Sequence, residues 1–173
     1  MSIRYAHWKM IVTYLRLVFG FMFFCFSTVS NADAIKSFER EIALHKGKVV
    51  YLDFWASWCR PCKQSFPWLN DLQQKYKEQA FTVFSVNLDA NPEFARQFLE
   101  QTPANFPIFY DAKGKLSKKF KLKGMPSSFL LNPQGKIVQA HVGFNPEKQQ
   151  QYEKEISALM ARLSTKSSKQ NIQ

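Results

Sequence analysis

Residues 55–62 read WASWCRPC, and this stretch places Cys59 and Cys62 three positions apart, with Pro61 between them. The chain of 173 residues contains one other cysteine, Cys25. A disulfide across three residues closes a loop that is too short to add much chain-entropy stabilisation. The pair is therefore better suited to chemistry than to structural support.

The residues around this pair predict a strand that leads into a helix. KVVYLDFWA (48–56) is a nearly continuous apolar run, which is typical of a buried central strand. A helix is expected from about Arg60 to Glu78, with Pro61 in its first turn. The apolar face of that helix has spacings of three and four and consists of Cys62, Phe66, Leu69, Leu72 and Tyr76.

The rest of the chain alternates strand and helix patterns, which predicts one α/β domain over residues 35–163. We expect further helices at 37–44, 91–101 and 146–163, strands at 81–88 and 106–111, and a hairpin at 127–142 with an Asn-Pro-Gln-Gly turn. Residues 164–173 are polar and are expected to be disordered.

The N-terminal segment has the pattern of a secretory signal peptide. A basic start is followed by ten apolar residues at 17–26 and by small residues around 30–34. We predict a signal peptide over residues 1–34, hence an exported, periplasmic protein in a compartment where disulfides persist. A retained membrane anchor is the first alternative, and a lipoprotein modified at Cys25 is the second.

The two cysteines have different predicted roles. Cys59 stands at the N-terminus of the predicted helix, where the dipole and the free N–H groups favour a thiolate, and Arg60 adds a cation. These effects lower the expected pKa of Cys59 and make it the attacking thiol. Cys62 lies one turn further on, where it can attack a mixed disulfide formed at Cys59. We expect Cys59 to be exposed and Cys62 to be buried.

Asp53 lies in the middle of the apolar strand, six residues before Cys59. An unpaired carboxylate is costly to bury, so its pKa should rise. Such a group can accept a proton from Cys62. The alternatives are a structural aspartate that is bonded to the backbone and a strand end that is less buried than its neighbours suggest.

Other uses of the two thiols fit the sequence less well. A zinc site would need two more ligands, but His45 and His141 are far apart and no second CxxC exists. We therefore expect neither a metal nor a cofactor. A single-thiol peroxidase would need a polar setting before its cysteine, which FWASW (54–58) does not resemble. His141 is out of phase with its apolar neighbours on the hairpin and is predicted to be exposed and without a role.

Two motifs together resemble the thioredoxin superfamily. They are DFWASWCRPC (53–62), with Pro67 five residues later, and GMPSSFLLNPQGKIV (124–138). The long segment between Asn87 and Lys113 and the exported N-terminus are similar to the TlpA/ResA/CcmG group of periplasmic proteins. The resemblance implies a thioredoxin fold: a central mixed β-sheet flanked by helices, with an inserted helix and strand before a cis-proline loop.

The resemblance also implies an activity, protein thiol–disulfide oxidoreductase, and a set of site residues. Cys59 and Cys62 would form the redox-active disulfide, with Asp53 as the buried acid. Pro126 would be cis, with the Met125 backbone offered to the substrate chain. Trp58 would flank the site, whereas Trp55 is expected in the core.

The implied partners are protein thiols and disulfides, and the resemblance favours a monomeric reductant that a membrane electron donor keeps reduced. A disulfide-forming oxidant and a non-catalytic binding module or chaperone remain alternatives. The net charge is +11, and six lysines lie in KGKLSKKFKLKG (113–124). This basic stretch is either a solvated helix face or a docking surface for an acidic partner or anionic lipid. Nucleic acid is not expected as a partner of an exported protein.

Overall fold

The computed structural model describes residues 34–170, with side chains as far as residue 165. The predicted signal peptide therefore lies outside the described residues, apart from Ala34. The helices are α1 (Ala34–Ala43), α2 (Arg60–Lys75), α3 (Pro92–Gln101), α4 (Lys115–Lys119) and α5 (Pro146–Gln170). The strands are β1 (Val49–Trp55), β2 (Phe81–Asn87), β3 (Ile108–Tyr110), β4 (Ser127–Leu131) and β5 (Ile137–Val142).

The five strands form one mixed sheet in the order β3-β2-β1-β4-β5. The strands β1, β2 and β3 run parallel, while β4 is antiparallel to both β1 and β5. The helix α3 and the strand β3 are the insertion that was predicted between β2 and the cis-proline loop. This mixed sheet flanked by helices confirms the predicted thioredoxin fold.

Two apolar clusters cover the two faces of the sheet, and β1 contributes to both because successive side chains of a strand point to opposite faces. The first cluster joins the sheet to α2, α3 and α5, and it includes Tyr51 and Trp55 of β1. The second cluster joins the sheet to α1 and α4, and it includes Leu52 and Phe54 of β1. Every residue of β1 is buried, as its apolar sequence predicted.

The helix α2 begins as predicted and ends earlier than predicted. Pro61 lies in its first turn, and all five residues of the predicted apolar face are buried. The helix ends at Lys75 rather than Glu78, because Tyr76 leaves the helical conformation and caps it. Likewise, the Asn91 side chain accepts a hydrogen bond from the Glu93 N–H (3.0 Å) at the start of α3.

The helix α5 corrects the prediction of a disordered tail for residues 164–170. It continues to Gln170, seven residues beyond the predicted end at Leu163. Residues 164–169 are polar, but none of them is glycine or proline, the residues that most often end a helix. Within residues 34–170, no helix is both long enough and apolar enough to cross a membrane.

The basic stretch at 113–124 contains α4 and the turn that follows it. Leu116 is fully buried in the second apolar cluster, whereas most of the lysines are exposed. Lys119 forms an ion pair with Glu39 of α1. The exposed lysines therefore lie on the solvated side of α4 and of the segments that flank it, while Leu116 on the opposite side packs on the sheet.

Candidate active site

The two cysteines of the CxxC motif form a disulfide at the junction of β1 and α2, with their Cα atoms 5.2 Å apart. Cys59 is the N-cap residue of α2, and its Sγ accepts a hydrogen bond from the Cys62 N–H at 3.2 Å. The helix therefore directs its first free N–H groups and the positive end of its dipole at the Cys59 sulfur, where they favour a thiolate in the reduced protein.

The predicted difference in burial between the two cysteines is smaller than expected. Cys62 is fully buried, but Cys59 is only 4% exposed, so the prediction of an exposed Cys59 is wrong for the disulfide form. The reason is that the Cys59 sulfur turns toward Cys62 and the first turn of α2. The neighbouring Trp58 is 70% exposed, whereas Trp55 is buried in the core as predicted.

A buried carboxylate holds the loop that precedes Cys59. Asp89 accepts hydrogen bonds from the Ser57 N–H (2.9 Å), the Ser57 hydroxyl (2.8 Å) and the Asn87 side-chain amide (2.7 Å). Our sequence analysis missed this residue. The available signal was its position just after β2, because neighbouring parallel strands deliver the residues that follow them to the same edge of the sheet.

Asp53 is buried in the centre of β1, with Ser85 of β2 and Ser128 of β4 as its cross-strand partners. It is 3% exposed, and its Oδ2 has no hydrogen-bond partner. Burial raises the pKa of Asp53 well above its usual range, as predicted. The alternative of a less buried strand end is therefore wrong.

The face that Asp53 occupies is the one covered by α2. Asp53 is two residues from both Tyr51 and Trp55 in β1, so the three side chains share one face of the sheet. Tyr51 and Trp55 pack in the cluster that contains Cys59 and Cys62. The carboxylate thus lies on the side of the sheet that carries the disulfide.

The loop before β4 lies at the same edge of the sheet as the cysteines. The peptide bond between Met125 and Pro126 is cis, as predicted. Ser127 pairs with Phe54 in the register of β1 and β4, so Pro126 lies one position further toward the Cys59 loop. Five of the predicted site residues therefore lie at this edge of the sheet: Trp58, Cys59 and Cys62 at the junction of β1 and α2, and Met125 and Pro126 in the loop before β4.

His141 is buried, and the prediction that it would be exposed is wrong. It is 7% exposed, and its Nε2 lies 2.7 Å from Oε2 of Glu155 on α5. The reason is that α5 covers one face of β5, and His141 is the only residue of β5 that is buried there. His141 is out of phase with Val138 and Val142, as the sequence indicates, but these two valines are the exposed residues and His141 is the buried one.

Among residues 34–170, no group of three or more His, Cys, Asp and Glu side chains is arranged to hold a metal ion. The two thiols that a zinc site would use are instead bonded to each other. What the arrangement can do chemically is exchange disulfides, because a helix-capping cysteine, a second, buried cysteine and a buried carboxyl lie on one side of the sheet.

Comparison with known proteins agrees with this chemistry. The family model named Redoxin matches residues 33–156. Thiol-disulfide oxidoreductase ResA of Bacillus thuringiensis subsp. konkukian is 33% identical over 118 residues, which cover 68% of each chain.

Solved structures give the same result for the fold. A crystal structure described as a thiol:disulfide interchange protein DsbE from Chlorobium tepidum is 49% identical with a TM-score of 0.68, covering 69% of this chain and 84% of that one. StoA from Bacillus subtilis is 33% identical with a TM-score of 0.53, covering 60% and 80%. The chain therefore belongs to the Redoxin family and is a TlpA/ResA/CcmG-like thiol–disulfide oxidoreductase of the thioredoxin superfamily.

Proposed function

We propose that the protein is an exported reductant of disulfides in partner proteins, with Cys59 as the attacking thiol and Cys62 as the resolving thiol. The observation that carries this proposal is the asymmetry of the pair. Cys59 caps α2 at its open end, whereas Cys62 is fully buried one turn further on, on the face of the sheet that contains Asp53.

The first step is attack by Cys59. In the reduced protein, the N-terminus of α2 stabilises the Cys59 thiolate, which is the nucleophile in disulfide exchange. The thiolate bonds to one sulfur of the partner disulfide, and the other partner sulfur leaves as a thiolate. The product is a mixed disulfide between Cys59 and the partner.

The second step is resolution by Cys62. The buried Cys62 thiol must lose its proton, and Asp53 accepts it because burial raises the pKa of the carboxyl toward the range of a useful base. The Cys62 thiolate then attacks the Cys59 sulfur, which releases the second partner sulfur. Two electrons have passed from the cysteine pair to the partner, and we propose that a membrane electron donor restores the dithiol.

The partner chain would bind at the edge of the sheet that carries Trp58, Met125 and Pro126. The exposed indole of Trp58 offers a large apolar contact beside Cys59. The cis-proline loop precedes β4 at the same edge, where the Met125 backbone would pair with an extended segment of the partner.

The proposed direction, reduction rather than oxidation, depends on how strongly the dithiol is stabilised. Arg60 at the start of α2 is exposed, and one such cation contributes on the order of 1 kcal/mol or less. That corresponds to roughly 20 mV, since about 30 mV equals 1.4 kcal/mol. The reduction potential is therefore expected nearer to thioredoxin (about −270 mV) than to DsbA (about −120 mV).

Three experiments test the proposal. A Cys62→Ser variant should accumulate mixed disulfides with partner proteins, while the matched Cys59→Ser variant should accumulate none. Equilibration with glutathione, followed by tryptophan fluorescence, measures the potential. A value above about −150 mV would show that the protein oxidises its partners, and an inert cysteine pair in insulin reduction would favour the binding-module alternative.

Export through residues 1–34 is part of the same proposal. N-terminal sequencing of the protein recovered from the periplasm should begin within a few residues of Asp33. A chain that keeps Met1 and sediments with membranes would instead support the retained anchor.

A further inference from the structure

Four polar side chains form a continuous hydrogen-bonded series beside Asp53. The Tyr51 hydroxyl lies 2.7 Å from Oγ of Ser128, which lies 3.4 Å from Nδ1 of His141. On the other side of the imidazole, Nε2 lies 2.7 Å from Oε2 of Glu155. The series therefore connects β1, β4, β5 and α5.

The inner end of this series lies next to Asp53. Asp53 is directly opposite Ser128 in the β1–β4 pair, and Ser128 is opposite His141 in the β4–β5 pair. Residues opposite each other in neighbouring strands share a face, so the three side chains form one row. Tyr51 is two residues from Asp53 on that face, and the charge of Asp53 helps to raise the pKa of Tyr51, although burial is the larger cause.

Asp53 is also the one member of this row with an unused hydrogen-bonding atom. Its Oδ2 is buried and has no partner. Buried polar atoms are normally paired, and an exception calls for an explanation. A carboxyl that turns toward the Tyr51 hydroxyl only when it carries a proton provides one.

The outer end of the series reaches solvent through Glu155, whose side chain is 22% exposed. Burial alone would raise the pKa of Glu155, but the hydrogen bonds from His141 and Gln151 outweigh it and lower the pKa. Glu155 is therefore ionised near neutral pH and can accept a hydrogen bond from the imidazole.

The surroundings of His141 contain few other ionisable groups. Its ring stacks between Tyr51 of β1 and Tyr152 of α5, with centroid distances of 6.2 and 3.9 Å. Burial raises the pKa of Tyr152, with a smaller contribution from the Glu155 charge. Among the described residues, the ionisable contacts of the ring are thus these two tyrosines and Glu155.

We propose that Tyr51, Ser128, His141 and Glu155 form a path that carries a proton between Asp53 and solvent during each redox cycle. This inference rests on the proposed role of Asp53 as the base for Cys62. The four residues act through Asp53 and are positioning residues rather than catalytic ones.

Each transfer along the path moves one proton and no electrons. The protonated Asp53 first turns toward Tyr51, two residues away on the same face, and donates to its oxygen. The Tyr51 hydroxyl then donates to Ser128, and the Ser128 hydroxyl to Nδ1 of His141. The imidazole releases the proton on Nε2 to Glu155, which passes it to water. The reverse sequence returns a proton to Asp53 when the disulfide is reduced and the Cys62 thiol forms again.

The test separates the two steps of disulfide exchange in the full-length chain. The probe is 5,5′-dithiobis(2-nitrobenzoate): the first thiolate released reports Cys59 attack, and the second reports resolution by Cys62. The variants are Tyr51→Phe, His141→Gln and Glu155→Gln. Tyr76→Phe is a matched control, because it removes another buried hydroxyl that bonds to a serine, Ser157. Glu153→Gln controls for charge on α5, since Glu153 pairs with Lys75.

We expect Tyr51→Phe and His141→Gln to slow resolution by about tenfold near neutral pH. This is less than the roughly hundredfold or greater loss expected for removal of a general acid or base, because both residues act through Asp53. Attack by Cys59 should be unchanged, the solvent deuterium isotope effect on resolution should increase, and the double variant should be no slower than either single one. Glu155→Gln should act in the same direction, while both controls resolve at the wild-type rate.

The outcomes distinguish this inference from the role of Asp53 itself. If Asp53→Asn slows resolution but Tyr51→Phe and His141→Gln behave like Tyr76→Phe, the path is wrong and the role of Asp53 stands. If Asp53→Asn resolves at the wild-type rate, both are wrong. Equal slowing of attack and resolution, with a loss of unfolding free energy, would assign the series a structural role and overturn the proposal.

Discussion

The two faces of β1 are equally buried but differ in chemistry. On the face toward α1 and α4, Leu52 and Phe54 belong to a cluster of apolar side chains. On the face toward α2, Asp53 lies between Tyr51 and Trp55 with one carboxylate oxygen unpaired. The same strand therefore supplies a conventional apolar core on one side and a buried carboxyl, on the face that carries the disulfide, on the other.

The difference shows where stability and function conflict. An apolar side chain in β1 stabilises the fold in proportion to the area that it buries. A buried carboxylate does the opposite, because burial disfavours its charged form. We infer that the α2 face gives up folding free energy in exchange for a base with a raised pKa, and the following predictions test that contrast.

The largest effect is expected on the apolar face. Phe54 is fully buried, and its ring contacts Phe120 and Phe129 with centroid distances of 5.1 and 5.8 Å. Phe54→Ala should lower the free energy of unfolding by about 3–5 kcal/mol, measured by urea titration with the disulfide intact. The rate of Cys59 attack per folded molecule should not change. A stable variant with slow attack would contradict the division between the two faces.

A smaller effect of opposite sign is expected at Asp53. Because the pKa of Asp53 is raised in the folded state, there is a pH range between the unfolded and the folded pKa in which the native protein holds a proton that the unfolded chain has lost. Below the unfolded pKa of about 3.9, ionisation of this carboxyl does not change the free energy of unfolding. As pH rises from there toward the folded pKa, the carboxyl lowers the free energy of unfolding increasingly.

The variant Asp53→Asn removes this penalty. It should gain about 1–3 kcal/mol in free energy of unfolding at pH 8, with little gain at pH 4. Unfolding curves of both proteins across that range measure the difference. A gain that is independent of pH would mean that the pKa of Asp53 is the same in the folded and the unfolded chain.

The smallest effect is expected in the loop before Cys59. Ser57→Ala removes one of the three hydrogen bonds to Asp89 and should lower the free energy of unfolding by about 1 kcal/mol. Ser37→Ala is the matched control, because the Ser37 hydroxyl accepts an exposed hydrogen bond from Arg40 in α1, and it should stay within about 0.5 kcal/mol of wild type. A larger loss in the control would show that the Asp89 contacts are not special.

The sequence predicted the elements that local patterns define. The apolar run of β1, the inner stripe of α2 and the Met125–Pro126 motif each have a local signature, and each prediction was confirmed. The burial of Asp53 was predicted for the same reason, because the carboxyl interrupts an apolar run.

What the sequence did not predict depends on contacts between distant segments. His141 has no apolar neighbours in phase with it, and its burial results from α5 folding over β5. Asp89 reads as an ordinary loop residue until β2 is placed beside β1. The end of α5 was missed because polar composition indicates exposure and does not by itself end a helix.

The central claim is that Asp53 takes the proton of Cys62 during resolution. The most direct measurement is the rate of mixed-disulfide resolution across pH 6–9 in the wild type and in Asp53→Asn. The account predicts a wild-type rate that rises through the raised pKa of Asp53, and a variant that is slow near neutral pH and accelerates only as the Cys62 thiol ionises unaided. Two superimposable profiles would contradict the claim and remove Asp53 from the mechanism.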